Sequence, residues 1–202
     1  MLKPKAKITK EKIVFTAFIQ FSNKTYEQVT YDDLMRETGF SRGAILHHFK
    51  TKKDIFNAVI ELSLSTRTGI LNITINENDC LKNFIIDFIK SCQDIQKKMA
   101  GFGIININRS IFNLDNQAYH YYENYETLSK QTQLIEIKVW HQVVKKAIAT
   151  NEIKEIIDSE LMATIFYQIY IGHSYEGVSN KYGCDIDKLS EELIGIYNMV
   201  KC

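Results

Sequence analysis

Apolar residues recur one helical turn apart along almost the whole chain. Ile13, Val14, Ala17, Phe18 and Phe21 fall at i, i+1, i+4, i+5 and i+8, one face of a helix over about Thr9 to Asn23. SNKTYEQVT interrupts that pattern. Thr30 and Asp33 then form a T-x-x-D start for a short helix from Tyr31 to Thr38 that buries Leu34. Gly39 suits the left-handed position that ends a helix. Ser41 can cap a third helix, with Ile45 and Phe49 one turn apart on its inner face. Thr51 and Asp54 repeat the T-x-x-D start and open a fourth helix carrying Ile55, Phe56 and Val59.

Beyond about residue 66 the periodic segments lengthen. Asn78 or Asp79 can cap a helix carrying Leu81, Phe84, Ile85, Phe88 and Ile89. GFGIININRSIF reads as a short helix, and one long helical stretch runs from about Gln117 to Thr150. Asp158 caps another helix to about Lys181, GCDID is a turn and cap, and a last helix starts near Ile186. The expected fold is all-α, with a three-helix helix-turn-helix head over residues 1–55 and a helical body over 56–202.

Composition narrows the classes. Proline occurs once and glycine nine times in 202 residues, too few breakers for a loop-rich or β-rich fold. No run of 18 apolar residues exists, so no membrane span is expected, and the basic N-terminus lacks the apolar core of a signal peptide. Cys80, Cys92, Cys184 and Cys202 form no CxxC pair and read as reduced thiols of a cytoplasmic protein. The net charge of +1 hides an asymmetry. Residues 1–55 hold 11 Lys and Arg against 6 Asp and Glu, and residues 56–202 hold 14 against 18. A basic head on an acidic body points to an anionic partner for the head.

The third helix supplies the chemistry. With Ile45 taken as inward, Gly43 and His47 point within about 20° of straight outward, flanked by Ala44 and Leu46, and His48 sits about 60° from the core direction. A mid-helix glycine costs about 1 kcal/mol against alanine, and close approach of the backbone to a DNA groove gives it a reason to be there. His47 and His48 diverge by about 100°, a poor arrangement for one metal.

Residues 10–61 resemble the DNA-binding domain of the TetR (tetracycline repressor) family of bacterial regulators. Phe18, Phe21, Thr30, Asp33, Leu34 and the run Gly39-Phe40-Ser41-Arg42-Gly43-Ala44-Ile45-Leu46-His47-His48-Phe49-Lys50-Thr51-Lys52 carry the resemblance in fixed register. It implies that Thr30, Thr51 and Lys52 bind phosphate, that Ser41, Arg42, Gly43, Ala44 and His47 face the groove, and that His48 touches the DNA backbone. Arg42 is placed either to read guanine through O6 and N7 or to bind phosphate. The pattern departs at Leu46, where the family has a phosphate-binding tyrosine, and at Met35, where it has alanine. At Leu46 either a backbone contact is lost or an apolar contact to a thymine methyl replaces it.

The resemblance also implies a body that binds a small-molecule effector and forms a homodimer on a double-stranded DNA operator. Phe102, Tyr122, Trp140, Phe166 and Tyr170 are the candidate effector-binding group, with core packing as the alternative for each. Gly172 and Gly177, then Leu189, Leu193, Ile196, Tyr197 and Val200, are the candidate dimer surface, with an intramolecular core stripe as the alternative. The function expected is a repressor released from a pseudo-palindromic operator by a small apolar or aromatic ligand. A body that only oligomerises or answers a protein partner is the alternative. An all-α enzyme is a third reading, but HExxH, a phosphate loop, G-x-S-x-G and a dinucleotide fingerprint are all missing. No cofactor is expected, and no metal, since His120, His141 and His173 lack a carboxylate or cysteine at ligand spacing.

Overall fold

The computed structural model describes residues 4–66 and 80–202. Among these residues the secondary structure is helical: α1 Pro4–Asn23, α2 Tyr31–Thr38, α3 Arg42–His48, α4 Lys52–Thr66, α5 Leu81–Gly101, α6 Ile107–Tyr121, α7 Tyr125–Ala149, α8 Ser159–Ser179 and α9 Ile186–Val200. An isolated bridge joins Ile153 and Lys201. The chain divides into two compact units, residues 1–67 with 110–127, and residues 68–109 with 128–202.

The short-range signals in the first unit form as their chemistry requires. The Thr30 hydroxyl accepts from the Asp33 amide at 3.1 Å while the Asp33 carboxylate accepts from the Thr30 amide at 3.0 Å, a complete capping box. Gly39 ends α2 at φ 72°, a conformation that costs a residue with a Cβ. Ser41 Oγ accepts from the Ala44 amide and starts α3. Thr51 and Asp54 exchange the same reciprocal pair of bonds before α4, at 2.9 and 3.1 Å. Ile13, Ala17, Phe18 and Phe21 of α1 close the unit's core with Leu34, Ile45, Phe49, Ile55 and Phe56, all buried.

The second unit packs around Trp140. Its indole stacks on Phe166 at 5.0 Å and 15°, and takes the edges of Phe84 at 5.0 Å and Phe88 at 5.2 Å. Phe88 in turn meets Tyr170 edge-on at 5.0 Å. Leu81, Ile85, Val144, Ala163, Leu189 and Leu193 complete the same buried cluster.

Two expected boundaries differ. The stretch 117–150 is two helices, α6 and α7, parted by a turn in which Asn124 sits at φ 60°, a left-handed value that asparagine tolerates. GFGIININRSIF is a turn with Gly103 at φ 85° followed by a fifteen-residue helix, with Asn106 Oδ1 accepting from the Arg109 amide at 2.8 Å. The proposed caps Asn78 and Asp79 lie outside the described residues. Helix α5 follows Cys80, whose side chain makes no cap bond. The Glu152 carboxylate accepts from the Leu81 and Lys82 amides, at 2.8 and 3.1 Å.

Candidate nucleic-acid interface

Helix α3 is anchored by Ile45, fully buried, and by Phe49 just past its end. Ser41, Arg42, Gly43, Leu46 and His47 are exposed, and Ala44 and His48 are half-buried. A Cβ added at Gly43 would meet nothing within 4 Å, so nothing in the head crowds that face. The His47 and His48 rings meet edge-to-face, with centroids 5.2 Å apart and planes at 78°.

Neighbouring elements build a cationic edge around this face. The Arg42 guanidinium lies over the Tyr31 ring, 5.0 Å from its centroid, which fixes its direction at the start of α3. Lys12 lies over Phe40 at 5.2 Å and Lys10 over Phe49 at 5.4 Å, bringing two charges of α1 beside the turn and the end of α3. Sequence reasoning missed Tyr31, Lys10 and Lys12, because each contact joins different helices and leaves no local spacing signal.

Thr30 and Thr51 sit at the N-termini of α2 and α4 and are exposed. Thr30 also donates its hydroxyl proton to Asp33 at 2.8 Å. Asp33 is the hub of this corner. Lys24 bonds its carboxylate at 2.9 Å, and so does Arg36. The Lys24 bond above all, with the Thr30 and Arg36 bonds, holds the Asp33 carboxyl well below the usual carboxylate range. Lys52 is differently occupied. Its Nζ donates to the Tyr26 carbonyl at 2.8 Å and the Val29 carbonyl at 3.1 Å, and lies 4.3 Å from the Tyr26 ring centroid. Its ammonium thus ties the loop before α2 to the start of α4. Tyr26 stacks on Tyr121 of α6 at 4.4 Å within the same unit, and Phe21 and Phe56 pack against Tyr26.

Of the candidate effector group, Trp140, Phe166 and Tyr170 belong to one cluster of the second unit. Trp140 and Phe166 are stacked in the core of the second unit, and Phe88 links Trp140 to Tyr170. Burial pushes the Tyr170 hydroxyl well above the ordinary phenol range. Phe102 follows the end of α5 and is exposed, and Tyr122 belongs to the first unit. Among the described residues, no three His, Cys, Asp or Glu side chains group as a metal site. His173 is buried and its Nε2 lies 3.0 Å from Glu192.

Of the candidate dimer residues, Leu189, Leu193, Tyr197 and Val200 are buried in the chain's own core. Gly177 is also buried; a Cβ there would lie 2.5 Å from the Cys184 amide nitrogen. Its smallness serves the chain's own α8–α9 turn. Gly172 is exposed with open space around it, and Ile196 is half-buried.

Residues 13–59 match the family described as bacterial regulatory proteins, tetR family. The chain is 27% identical over 84 residues to the biofilm operon icaADBC negative transcriptional regulator IcaR of Staphylococcus aureus strain Newman, covering 40% of this chain and 45% of that one. It is 32% identical over 73 residues to the Transposon Tn10 TetC protein of Escherichia coli, covering 33% of this chain and 37% of that one. The chain thus spans less than half the length of these curated relatives. The fold is shared over the whole chain with a TetR-family transcriptional regulator from Cytophaga hutchinsonii, with a TM-score of 0.70 at 15% identity, covering 100% of this chain and 98% of that one.

Proposed function

We propose, for a chain that belongs to the tetR family of bacterial regulatory proteins, that it acts as a dimeric, sequence-specific DNA-binding repressor. A small apolar or aromatic ligand releases it from a two-fold operator. The observation that carries this reading is helix α3: buried at Ile45, open at Gly43, and exposing Arg42, Leu46 and His47 beside Lys10 and Lys12. A short helix gripped from one side and bare on the other is what a major groove admits. The basic balance of residues 1–55 supports a phosphate-rich partner.

Thr30, Thr51 and the rim lysines contact phosphate in this reading, Ser41, Arg42, Gly43, Ala44 and His47 face the bases, and His48 touches the backbone. Lys52 acts by holding the α4 N-terminus in place. For the dimer, the exposed residues of α8 and α9 include Gly172, Tyr175 and Met199, and Ile196 is half-buried. The effector shifts the balance between two arrangements by binding one of them more tightly.

The test is selection of bound duplexes from a random pool, followed by affinity measurements across salt. The expected site is a pseudo-palindrome with half-sites about one DNA turn apart. Arg42→Ala should weaken binding and flatten either the base preference or the salt slope, by about one unit if it holds a phosphate. A pool that yields no enriched site, or an Arg42→Ala variant with unchanged affinity, would overturn the reading.

A further inference from the structure

We propose that Leu46 is a specificity-determining residue that reads the 5-methyl group of a thymine in the major groove. The inference rests on the DNA-binding reading above and goes beyond it by assigning a base.

Leu46 is 37% exposed, although it is a large apolar side chain on a helix whose other apolar anchors, Ile45 and Phe49, are buried. Its neighbours on the bare side are Arg42, Gly43 and His47, so it stands within a polar, cationic face. Four residues separate Leu46 from Arg42, which puts the two side chains about 40° apart on the same side of α3. Arg42 is itself held over the Tyr31 ring. Leu46 thus stands one turn beyond a guanidinium whose direction is set, on the same strip of surface.

The chemistry then selects the partner. A leucine carries no donor or acceptor, so it cannot bond a phosphate or the polar edge of a base. The apolar group that unmodified B-DNA displays in the major groove is the thymine methyl. Gly43, bare and uncrowded, lets the helix backbone approach closely enough for a side chain of leucine's length to reach the base edges. The axial separation of Arg42 and Leu46 is about 6 Å, so a base read by one lies within about two base pairs of a base read by the other.

The experiment uses the full chain and the operator recovered by selection. Each thymine of the half-site is replaced in turn by deoxyuridine, which removes only the methyl group, and the dissociation constant is measured for wild type and Leu46→Ala. Loss of one methyl contact should weaken wild-type binding roughly fourfold per half-site at one thymine position. Leu46→Ala should bind the natural operator more weakly and should be indifferent to uracil at that same position. If wild type tolerates uracil at every position within twofold, or if Leu46→Ala keeps the wild-type sensitivity, the assignment is overturned while the DNA-binding reading stands. If no operator is recovered, both fall together. Leu46 is exposed, so its truncation leaves the head folded, and circular dichroism checks this.

Discussion

Gly172 and Gly177 lie on one helix, and the same substitution should act on them in opposite directions. An alanine Cβ at Gly177 would sit 2.5 Å from the Cys184 nitrogen and 2.8 Å from both Cys184 Cα and Gly183 C. All three are backbone atoms, so no side-chain rotation relieves the clash. The first contact is about 0.9 Å short of ordinary van der Waals distance. The α8–α9 turn would have to retreat, and it is pinned. Asn106 Nδ2 donates to the Gly177 and Asn180 carbonyls at 2.9 and 2.7 Å, Arg109 Nε to the Val178 carbonyl at 2.9 Å, and Gln96 Nε2 to the Cys184 carbonyl at 2.9 Å. The Cys184 amide donates to Asn108 Oδ1 at 2.8 Å. Overpacking costs about 1–3 kcal/mol, and each disturbed bond adds about 1 kcal/mol. The helix-propensity gain of alanine returns about 1 kcal/mol. Gly177→Ala should therefore destabilise the second unit by about 2–4 kcal/mol. At Gly172 a Cβ meets nothing within 4 Å, so Gly172→Ala should be neutral to about 1 kcal/mol stabilising. Urea unfolding followed by the fluorescence of Trp140, the one tryptophan of the chain, reports on the second unit. Equal midpoints for Gly177→Ala and wild type would refute the argument that the turn is rigid.

Lys52→Met removes the donor from the Tyr26 and Val29 carbonyls and should cost about 2 kcal/mol, a fall of about 4–8 °C in melting temperature by circular dichroism, whether or not DNA binding changes. An unchanged melt would return Lys52 to the role of a free phosphate ligand. Burial pushes the Cys92 and Cys184 thiols up to about 12, so at pH 8 about one in ten thousand of each is thiolate. Cys202 is exposed and should be alkylated at once, whereas Cys92 and Cys184 should label only in denaturant, as peptide mapping would show. Asp33 is held below its ordinary range, so its stabilising contribution is full at neutral pH and fades as pH falls below about 5, where the unfolded carboxyl begins to bind a proton. The melting-temperature gap between wild type and Asp33→Asn should stay constant from pH 7 to 5 and narrow below that; a gap that closes near pH 6 would contradict it.

What was legible in the sequence was local. The caps at Thr30, Ser41, Thr51, Asp158 and Asp185 each close a hydrogen bond within two or three residues, so spacing alone reveals them. The left-handed Gly39 and the inward Ile45 follow from turn and helix geometry, and with them the bare face of α3. Periodicity also found the apolar stripe of α9, but it does not say what a stripe faces. Only the tertiary structure placed Leu189, Leu193, Tyr197 and Val200 in the chain's own core. It also assigned the cap of α5 to Glu152, some 70 positions away, and engaged Lys52 with two carbonyls more than 20 positions before it. Bonds between distant residues leave no periodic trace, because their spacing is set by how helices pack and not by the turn of any one helix.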